Sequence, residues 1–202
     1  MSHFDDLLLT YTGNIAERTM IEQRIWREFG IRGAVFVLDM ANFSLITQSQ
    51  GIVYYLSLIQ RMQIIVRPII ERLSGHLVKF EADNCFAYFH HPCDAVNAGI
   101  SINQKITEAN QNTPDEFDIM VSCGIDFGDF LLIYGKDFFG YPVNRASKLG
   151  EDLAQPGEIL ITKETLEMVN RDRAIQTELI NCKHSGINFN IYRIVYDKTF
   201  FK

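Results

Sequence analysis

Residues 76–89 read HLVKFEADNCFAYF, two short apolar runs on either side of the polar tetrapeptide at 81–84. Asp and Asn tolerate turn geometry, so this arrangement is typical of a β-hairpin with acidic residues at its tip. Upstream, Ala34 to Leu38 forms a near-continuous apolar run that ends in Asp39, the pattern of a strand buried on both faces. The hairpin and this strand are the first elements of a predicted sheet.

Helical segments are predicted on both sides of the hairpin. Between residues 48 and 73 the apolar positions with helical spacing are Ile52, Leu56, Ile59, Met62, Val66, Ile69 and Leu73. Pro68 inside this segment predicts a kink or an early break, because proline cannot donate the helical hydrogen bond. A second helix is expected from Asp94, just after a proline, to about Asn110.

The order of predicted elements from Ala34 to Tyr134 is strand, helix, strand, strand, helix, strand, with the last strand split into runs at 117–125 and 130–134. This order is the split βαβ arrangement, which predicts a ferredoxin-like α+β sheet with helices on one face. The other predicted elements are helices at 14–29, 142–153 and 162–170, a strand at 157–161, and a closing hairpin of strands at 174–180 and 188–196. We therefore expect an N-terminal helical segment, 1–33, and one domain with added C-terminal elements, 34–202.

Composition excludes several classes of protein. The 202 residues include 25 acidic and 19 basic ones, a formal net charge of −6, so the general attraction to a phosphate backbone is missing. The hairpin strand offers Phe86, Tyr88 and Phe89 without the Gly and Arg pattern of RNA-recognition modules. No nucleic-acid partner is expected.

Neither a membrane span nor a secretory leader is predicted. The most apolar long stretch, 52–70, contains Arg61 and Arg67, charges that a spanning helix would have to bury. Asp5 and Asp6 stand where a leader needs basic residues, so a cytoplasmic location is expected. The four cysteines lie far apart without a CxxC pair, which argues against a zinc site or a disulfide framework.

Two carboxylates mark the candidate site. Asp39 ends the first strand and Asp83 lies at the hairpin tip, and the split βαβ topology makes these two elements neighbours at one end of the sheet. Two such carboxylates repel each other unless a cation joins them, and hard oxygen ligands favour Mg²⁺ or Mn²⁺. A two-metal site for phosphoryl transfer is the functional interpretation. The alternative is that each acid occupies a solvated strand end or turn.

A third block adds to this pair. GIDFG at 124–128 is followed by DFFGYPVNRASKL at 137–149, and with these residues the chain resembles the class III nucleotidyl cyclases, the catalytic domain of adenylate and guanylate cyclases. That family combines a strand ending in D-[IM]-x-G-F-[ST] with K-x-x-G-D and then D-x-x-G-x-x-V-N-x-x-x-R. The three motifs stand here in order at 36–44, 79–83 and 137–148, and the resemblance extends roughly from residue 34 to residue 169.

The resemblance implies roles for individual residues. Asp39 and Asp83 correspond to the metal ligands, with the backbone carbonyl of Met40 as a further ligand, for two Mg²⁺ or Mn²⁺ ions per site. Lys79 and Asp137 fall where adenylate cyclases read the base. Adenine offers an acceptor at N1 for an ammonium group and a donor at N6 for a carboxylate, whereas guanine reverses this pattern, so ATP is expected over GTP.

The helix after the third motif supplies the remaining implied groups. Asn144 falls where the family orients the ribose, and Lys148, four residues later on the same helix face, falls where a positive group meets the triphosphate. The implied activity is that of an adenylate cyclase, a lyase of signal transduction that makes cyclic AMP. The implied assembly is a homodimer in which each site combines metal ligands of one subunit with base-reading residues of the other.

Three positions depart from the family pattern: Asn42 and Ala82 replace glycines, and Lys148 replaces an arginine. The lysine keeps the charge but cannot make a planar bidentate contact. Arg145 is a poor substitute, because it follows Asn144 by one residue and so points about 100° around the helix. The alternatives are a cyclase for UTP or CTP, less readily GTP, and a catalytically silent homologue that binds nucleotide or a regulatory partner.

Overall fold

The computed structural model describes residues 2–41, 51–133, 135–172, 174–180 and 189–197. The helices are α1 (His3–Gly13), α2 (Arg18–Phe29), α3 (Ile52–Arg72), α4 (Pro92–Asn110), α5 (Tyr141–Ser147), which continues as a π-helical turn over Lys148–Leu153, and α6 (Lys163–Asp172). The strands are β1 (Gly30–Met40), β2 (Gly75–Glu81), β3 (Asn84–Phe89), β4 (Val121–Ile133), β5 (Asp137–Phe139), β6 (Ile159–Thr162), β7 (Thr177–Ile180) and β8 (Ile191–Ile194). Short 3₁₀ turns lie at Ile15–Glu17 and Asp115–Phe117.

The strands form one mixed sheet in the order β2-β3-β1-β4-β6-β8-β7, with β5 paired to β4. The first four strands of this order are the ferredoxin-like core, so the predicted α+β fold class is confirmed. β1 is antiparallel to both β3 and β4, and every residue from Ala34 to Leu38 is fully buried. Helices α3 and α4 cover one face of the sheet, and α5 lies on the other over β1 and β4.

Helix α3 differs from its prediction in two ways. It runs through Pro68 without a break and ends at Arg72, and tertiary packing of the surrounding turns outweighs the local cost of proline. Its buried positions are Tyr55, Leu58, Ile59, Met62, Val66, Ile69 and Ile70. Ile52 and Leu56 were expected on this face, but they are more than half exposed because the first turn presents Tyr55 to the core instead.

Strand β4 is one continuous strand, so the two separate runs predicted from its sequence are wrong. It pairs with β1 over its length, from Gly30 opposite Leu131 to Met40 opposite Val121. The glycines inside it serve close packing rather than a turn. A Cβ atom at Gly124 would collide with the carbonyl oxygen of Ala146 in α5.

The N-terminal segment contains a helix that the sequence pattern did not predict. Helix α1 begins with a capping box in which Ser2 and Asp5 exchange hydrogen bonds. It packs with α2 against the end of β4 through Phe4, Leu7, Ile21, Ile25 and Ile133. Helix α2 begins at Arg18, later than the predicted residue 14, and it buries Ile21 and Ile25 while Met20 and Trp26 are exposed.

The C-terminal elements agree with their predictions. Thr162 ends β6, and its hydroxyl accepts a hydrogen bond from the backbone N–H of Thr165 in the first turn of α6. Strands β7 and β8 form the closing antiparallel pair. Across the five described ranges no helix has the length and apolarity to cross a membrane. Cys85 and Cys123 are buried free thiols, the Cys93 thiol donates to the carbonyl oxygen of Val169, and Cys182 lies outside the described residues.

Candidate active site

Asp39 and Asp83 meet at the end of the sheet where β1 stops. Leu38 pairs with Cys85, so the antiparallel register carries the end of β1 to the turn that holds Asp83. Burial, followed by the negative charges of Asp83 and Glu151, raises the pKa of Asp39 to about 7. The backbone N–H of Met40 donates a hydrogen bond that opposes this shift. The two acids therefore interact directly, as the topology predicts.

Asp83 is the more enclosed of the two acids, with 8% of its surface exposed. Burial raises the pKa of its carboxyl group, and a hydrogen bond from the Tyr55 hydroxyl partly offsets that effect. The same burial raises the pKa of Tyr55 to about 12, so this phenol remains a donor at neutral pH. Sequence reasoning missed Tyr55. The available signal was its spacing of three and four residues from Leu58 and Ile59 on the core face of α3.

Ala82 occupies a left-handed backbone conformation in the hairpin turn, with φ of 51°. An L-residue with a Cβ atom pays about 1–2 kcal/mol there, whereas glycine adopts this conformation without steric cost. The turn thus has a backbone geometry that glycine adopts more readily than alanine, and Ala82 stores local strain there.

We expect Ala82→Gly to stabilise the protein by up to about 1 kcal/mol, because relief of the strained φ exceeds the added entropy of the unfolded chain. Urea unfolding of both proteins measures the difference. Ala41→Gly is the matched control, since no positive φ is found at residue 41. A loss of stability in Ala82→Gly equal to that of the control would contradict the strain argument.

Lys79 and Asp137, the two predicted base-reading residues, are in contact. The Nζ atom of Lys79 lies 3.0 Å from Oδ2 of Asp137 and 2.6 Å from Oε2 of Glu81. The hydrogen bond to Glu81, followed by the one to Asp137, raises the pKa of Lys79. The ammonium also lies 5.0 Å from the ring centroid of Phe86. The Lys79 cation in β2 and the Asp137 carboxylate in β5 are therefore adjacent.

Asn144 and Lys148 lie on α5 and the turn that extends it. Asn144 is exposed, and the ammonium of Lys148 lies 2.5 Å from Oδ2 of Asp152, one helical turn further on. Arg145 is engaged elsewhere, in a buried ion pair with Asp126. This placement agrees with the expectation, from its angular position on the helix, that Arg145 does not stand in for the family's arginine.

The oxygen ligands predicted for a cation are the carboxylates of Asp39 and Asp83 and the Met40 carbonyl, and the structure places all three residues at this end of the sheet. The Asp83 carboxylate raises the proton affinity of Asp39, and two such neighbouring carboxylates are a donor set suited to a hard divalent cation. Among the described residues no three side chains of His, Cys, Asp or Glu are grouped closely enough to hold a metal by themselves. Asn42, the motif position that replaces a glycine, lies outside the described residues.

The raised pKa of Asp39 predicts how the free energy of unfolding depends on pH. Above the unfolded pKa near 3.8 and up to about 7, the folded state binds more protons than the unfolded chain, so the free energy of unfolding falls as pH rises through this window. In the presence of EDTA, we expect wild-type protein to lose roughly 1–2 kcal/mol more than Asp39→Asn between pH 4 and pH 7.5.

Urea unfolding at several pH values tests this expectation. Asp129→Asn is the matched control, because Asp129 is an exposed acid of β4 paired with Arg32. Parallel pH profiles for wild type and Asp39→Asn would show that the acid pair is not strained in the folded state.

The comparisons with known proteins are consistent with this geometry. No protein-family model matches the chain. Putative adenylate cyclase 3 of Rhizobium meliloti strain 1021 is 25% identical over 137 residues, which are 68% of this chain and 23% of the relative. The chain thus matches about a quarter of the length of that curated protein.

Solved structures give the same result for the fold. An adenylate/guanylate cyclase/hydrolase from Silicibacter pomeroyi has a TM-score of 0.69 at 23% identity, covering 83% of this chain and 98% of that one. Adenylyl cyclase CyaB from P. aeruginosa has a TM-score of 0.67 at 20% identity, with coverage of 86% and 99%. The catalytic core of a rhodopsin-guanylyl cyclase with converted specificity, in complex with ATPαS, has a TM-score of 0.68 at 19% identity, with coverage of 82% and 98%. The resemblance read from the three motifs is thereby confirmed, and the chain has the fold of the catalytic domains of class III adenylate and guanylate cyclases.

Proposed function

We propose that this chain is a nucleotidyl cyclase that converts ATP to 3′,5′-cyclic AMP and pyrophosphate as a homodimer. The proposal rests on the presence of two clusters of charged side chains in a chain with the cyclase fold. Asp39 and Asp83 repel each other at the end of β1, and Lys79 contacts Asp137 at the edge of β2. The first cluster suits a divalent cation and a triphosphate, and the second matches the donor and acceptor pattern of adenine.

The proposed reaction joins the ribose 3′-oxygen to the α-phosphorus of the same nucleotide, breaks the bond from that phosphorus to the β-phosphate oxygen, and releases the hydroxyl proton. Asp39, Asp83 and the Met40 carbonyl would hold two Mg²⁺ or Mn²⁺ ions, which supply positive charge to acidify the 3′-hydroxyl and to neutralise the leaving pyrophosphate. Tyr55 orients the Asp83 carboxylate through its hydrogen bond. Asn144 would orient the ribose, and Lys148 would bind the triphosphate, so the protein contributes positioning and charge stabilisation.

Assembly into a dimer is part of the proposal. The acids whose charges raise the pKa of Asp39 are Asp83, Glu151 and Asp152, whereas Lys79 contacts Asp137 and Glu81. Within one chain Lys79 is therefore not among the groups that shift the pKa of Asp39, although Glu81 acts on Glu151 at the border between the two clusters. Two chains related by a twofold axis would bring the first cluster of each to the second cluster of the other.

A product assay tests the substrate assignment. Purified dimer is incubated with ATP, GTP, CTP or UTP in the presence of Mn²⁺, and the products are identified by mass. Cyclic AMP as the main product supports the proposal, and a cyclic pyrimidine nucleotide or cyclic GMP would replace ATP with another substrate. No cyclic product from any triphosphate would favour a silent nucleotide-binding homologue.

Complementation tests the shared sites. We expect Asp39→Ala protein and Lys79→Ala protein to be inactive alone and to recover part of the wild-type rate when mixed, up to about a quarter if subunits exchange at random. Their heterodimer retains one site in which neither residue is changed. Mixing Asp39→Ala with Asp83→Ala is the control that leaves no intact site. Absence of recovery despite subunit exchange, verified by mass, would argue against sites built from two chains.

A further inference from the structure

A buried charge network lies behind the helix that carries Asn144. Asp126 in β4 is fully buried, and both of its oxygens accept hydrogen bonds from Arg145, from Nε at 2.6 Å and from Nη2 at 2.8 Å. The hydroxyl of Thr162 donates a third bond to the same carboxylate, at 2.5 Å. Arg145 is itself only 7% exposed, and its Nη1 atom donates to Glu164 at 2.9 Å.

The surrounding contacts hold α5 close to β4. Gly124, Asp126 and Gly128 alternate along one face of β4, and α5 lies on that face. A Cβ atom at Gly124 would collide with the backbone of α5, and one at Gly128 would lie 2.7 Å from Cγ of Pro142. The arginine pair is therefore located in the middle of a tight contact between helix and strand.

Helix α5 cannot keep its orientation through its own hydrogen bonds. Its seven residues and the six of the π-helical turn that extends it make up a length at which an isolated helix is marginal in water. The glycines of β4 set its distance from the sheet, and the apolar contacts of its buried Pro142 and Ala146 constrain its rotation about its axis without directional bonds. A bidentate arginine–carboxylate contact is directional, so it fixes that rotation. The adjacent side chain of Asn144 and that of Lys148 are then held at fixed angles.

We propose that Arg145 and Asp126 are positioning residues that fix the rotation of α5 and so hold Asn144 and Lys148 in place for the nucleotide. The inference rests on the proposed function for its effect on rate. Apolar side chains of similar size often hold buried elements together at least as stably as an ion pair. A directional role for the pair therefore accounts for its presence in this packed interface better than a gain in stability does.

Conservative variants separate positioning from folding. Asp126→Asn keeps the shape of the side chain, and Arg145→Lys keeps the charge without the fork. We expect each to lower kcat by about tenfold in protein that still unfolds cooperatively, because small misplacement of reacting groups is costly. Asp129→Asn and Arg32→Lys are the matched controls, since they make the same changes in an exposed ion pair between β4 and β1.

A double-mutant cycle measures the coupling between Asp126 and Lys148 in kcat. A purely structural role of Asp126 would produce no such coupling. If the pair acts through Lys148, the Lys148→Ala substitution should cost about 10²-fold in the wild-type background and less than about tenfold in Asp126→Asn. Equal costs in both backgrounds, or wild-type kcat in both Asp126→Asn and Arg145→Lys, would overturn the inference.

Failure of the proposed function can be distinguished from failure of the positioning role. A wild-type protein that makes no cyclic product refutes the proposed function alone. In that case the dissociation constant of ATP with Mn²⁺, measured by calorimetry, replaces the rate. Equal affinities for wild type, Asp126→Asn and Arg145→Lys would then refute the positioning role, as would unfolding of both variants, because a positioning pair is not required for the fold.

Discussion

Asp39→Ala and Asp83→Ala are each expected to abolish cyclisation and to leave the protein folded and as stable as the wild type or more so. Each substitution removes an oxygen donor from the proposed cation site, and loss of both charge stabilisation and alignment is worth several orders of magnitude in rate. Each also relieves the repulsion that raises the pKa of Asp39. Loss of activity together with retained or increased stability is the signature of a functional rather than structural carboxylate.

The measurements are product formation from ATP with Mn²⁺ and thermal unfolding in EDTA. Asp129→Ala is the control, because it removes an exposed acid from β4 that pairs with Arg32 and lies in no cluster with Asp39. Activity within a few-fold of wild type in either Asp39→Ala or Asp83→Ala would exclude the cation-binding assignment. Destabilisation of both variants would instead identify the acids as part of the fold.

Lys148→Ala is expected to lower kcat and kcat/KM together by about 10²-fold, which corresponds to the loss of a charge-assisted contact of ~2–3 kcal/mol made in the transition state. In the structure the Lys148 side chain is 42% exposed and its ammonium pairs with Asp152, so a triphosphate can compete for it. Lys148→Arg should keep or raise the rate, because the guanidinium fork can contact two phosphate oxygens.

The control for Lys148 is Lys163→Ala on α6. Lys163 forms an exposed ion pair with Glu167 that has the same four-residue spacing as the pair of Lys148 with Asp152. Steady-state kinetics of the variants with ATP decide the matter. A Lys148→Ala rate within about twofold of wild type would identify Lys148 as a solvated helix residue, and the role proposed for it would be wrong.

Elements with a strong local pattern were predictable from the sequence. The hairpin of β2 and β3 and the strand from Ala34 to Leu38 were predicted correctly because apolar runs and turn residues are features of short segments. Strand β4 was divided in the prediction because Gly124 and Gly128 are usually breakers of regular structure. Their actual reason is the close approach of α5, a tertiary contact that no local pattern contains.

The candidate site was predictable to the same extent. The proximity of Asp39 and Asp83 follows from strand order, whereas the pairing of Lys79 with Asp137 was suggested only by the resemblance to the cyclases. The contact of Tyr55 with Asp83 depends on the rotation of α3, which the exposed Ile52 and Leu56 made ambiguous. The network around Asp126 was missed because an isolated Asp beside glycines resembles a solvated loop.

The pairing of β1 with β4 has a consequence for how the protein folds as it is made. Residues 30–40 pair with residues 121–131, and the chain between them contains α3, the hairpin and α4. Closing so long a loop costs chain entropy before the hydrogen bonds between β1 and β4 can offset that cost. This pairing is therefore expected late in the folding reaction. On the ribosome, β1 leaves the exit tunnel long before its central partner is synthesised. The apolar run from Ala34 to Leu38 must therefore be shielded for that interval by the nascent hairpin or by a chaperone.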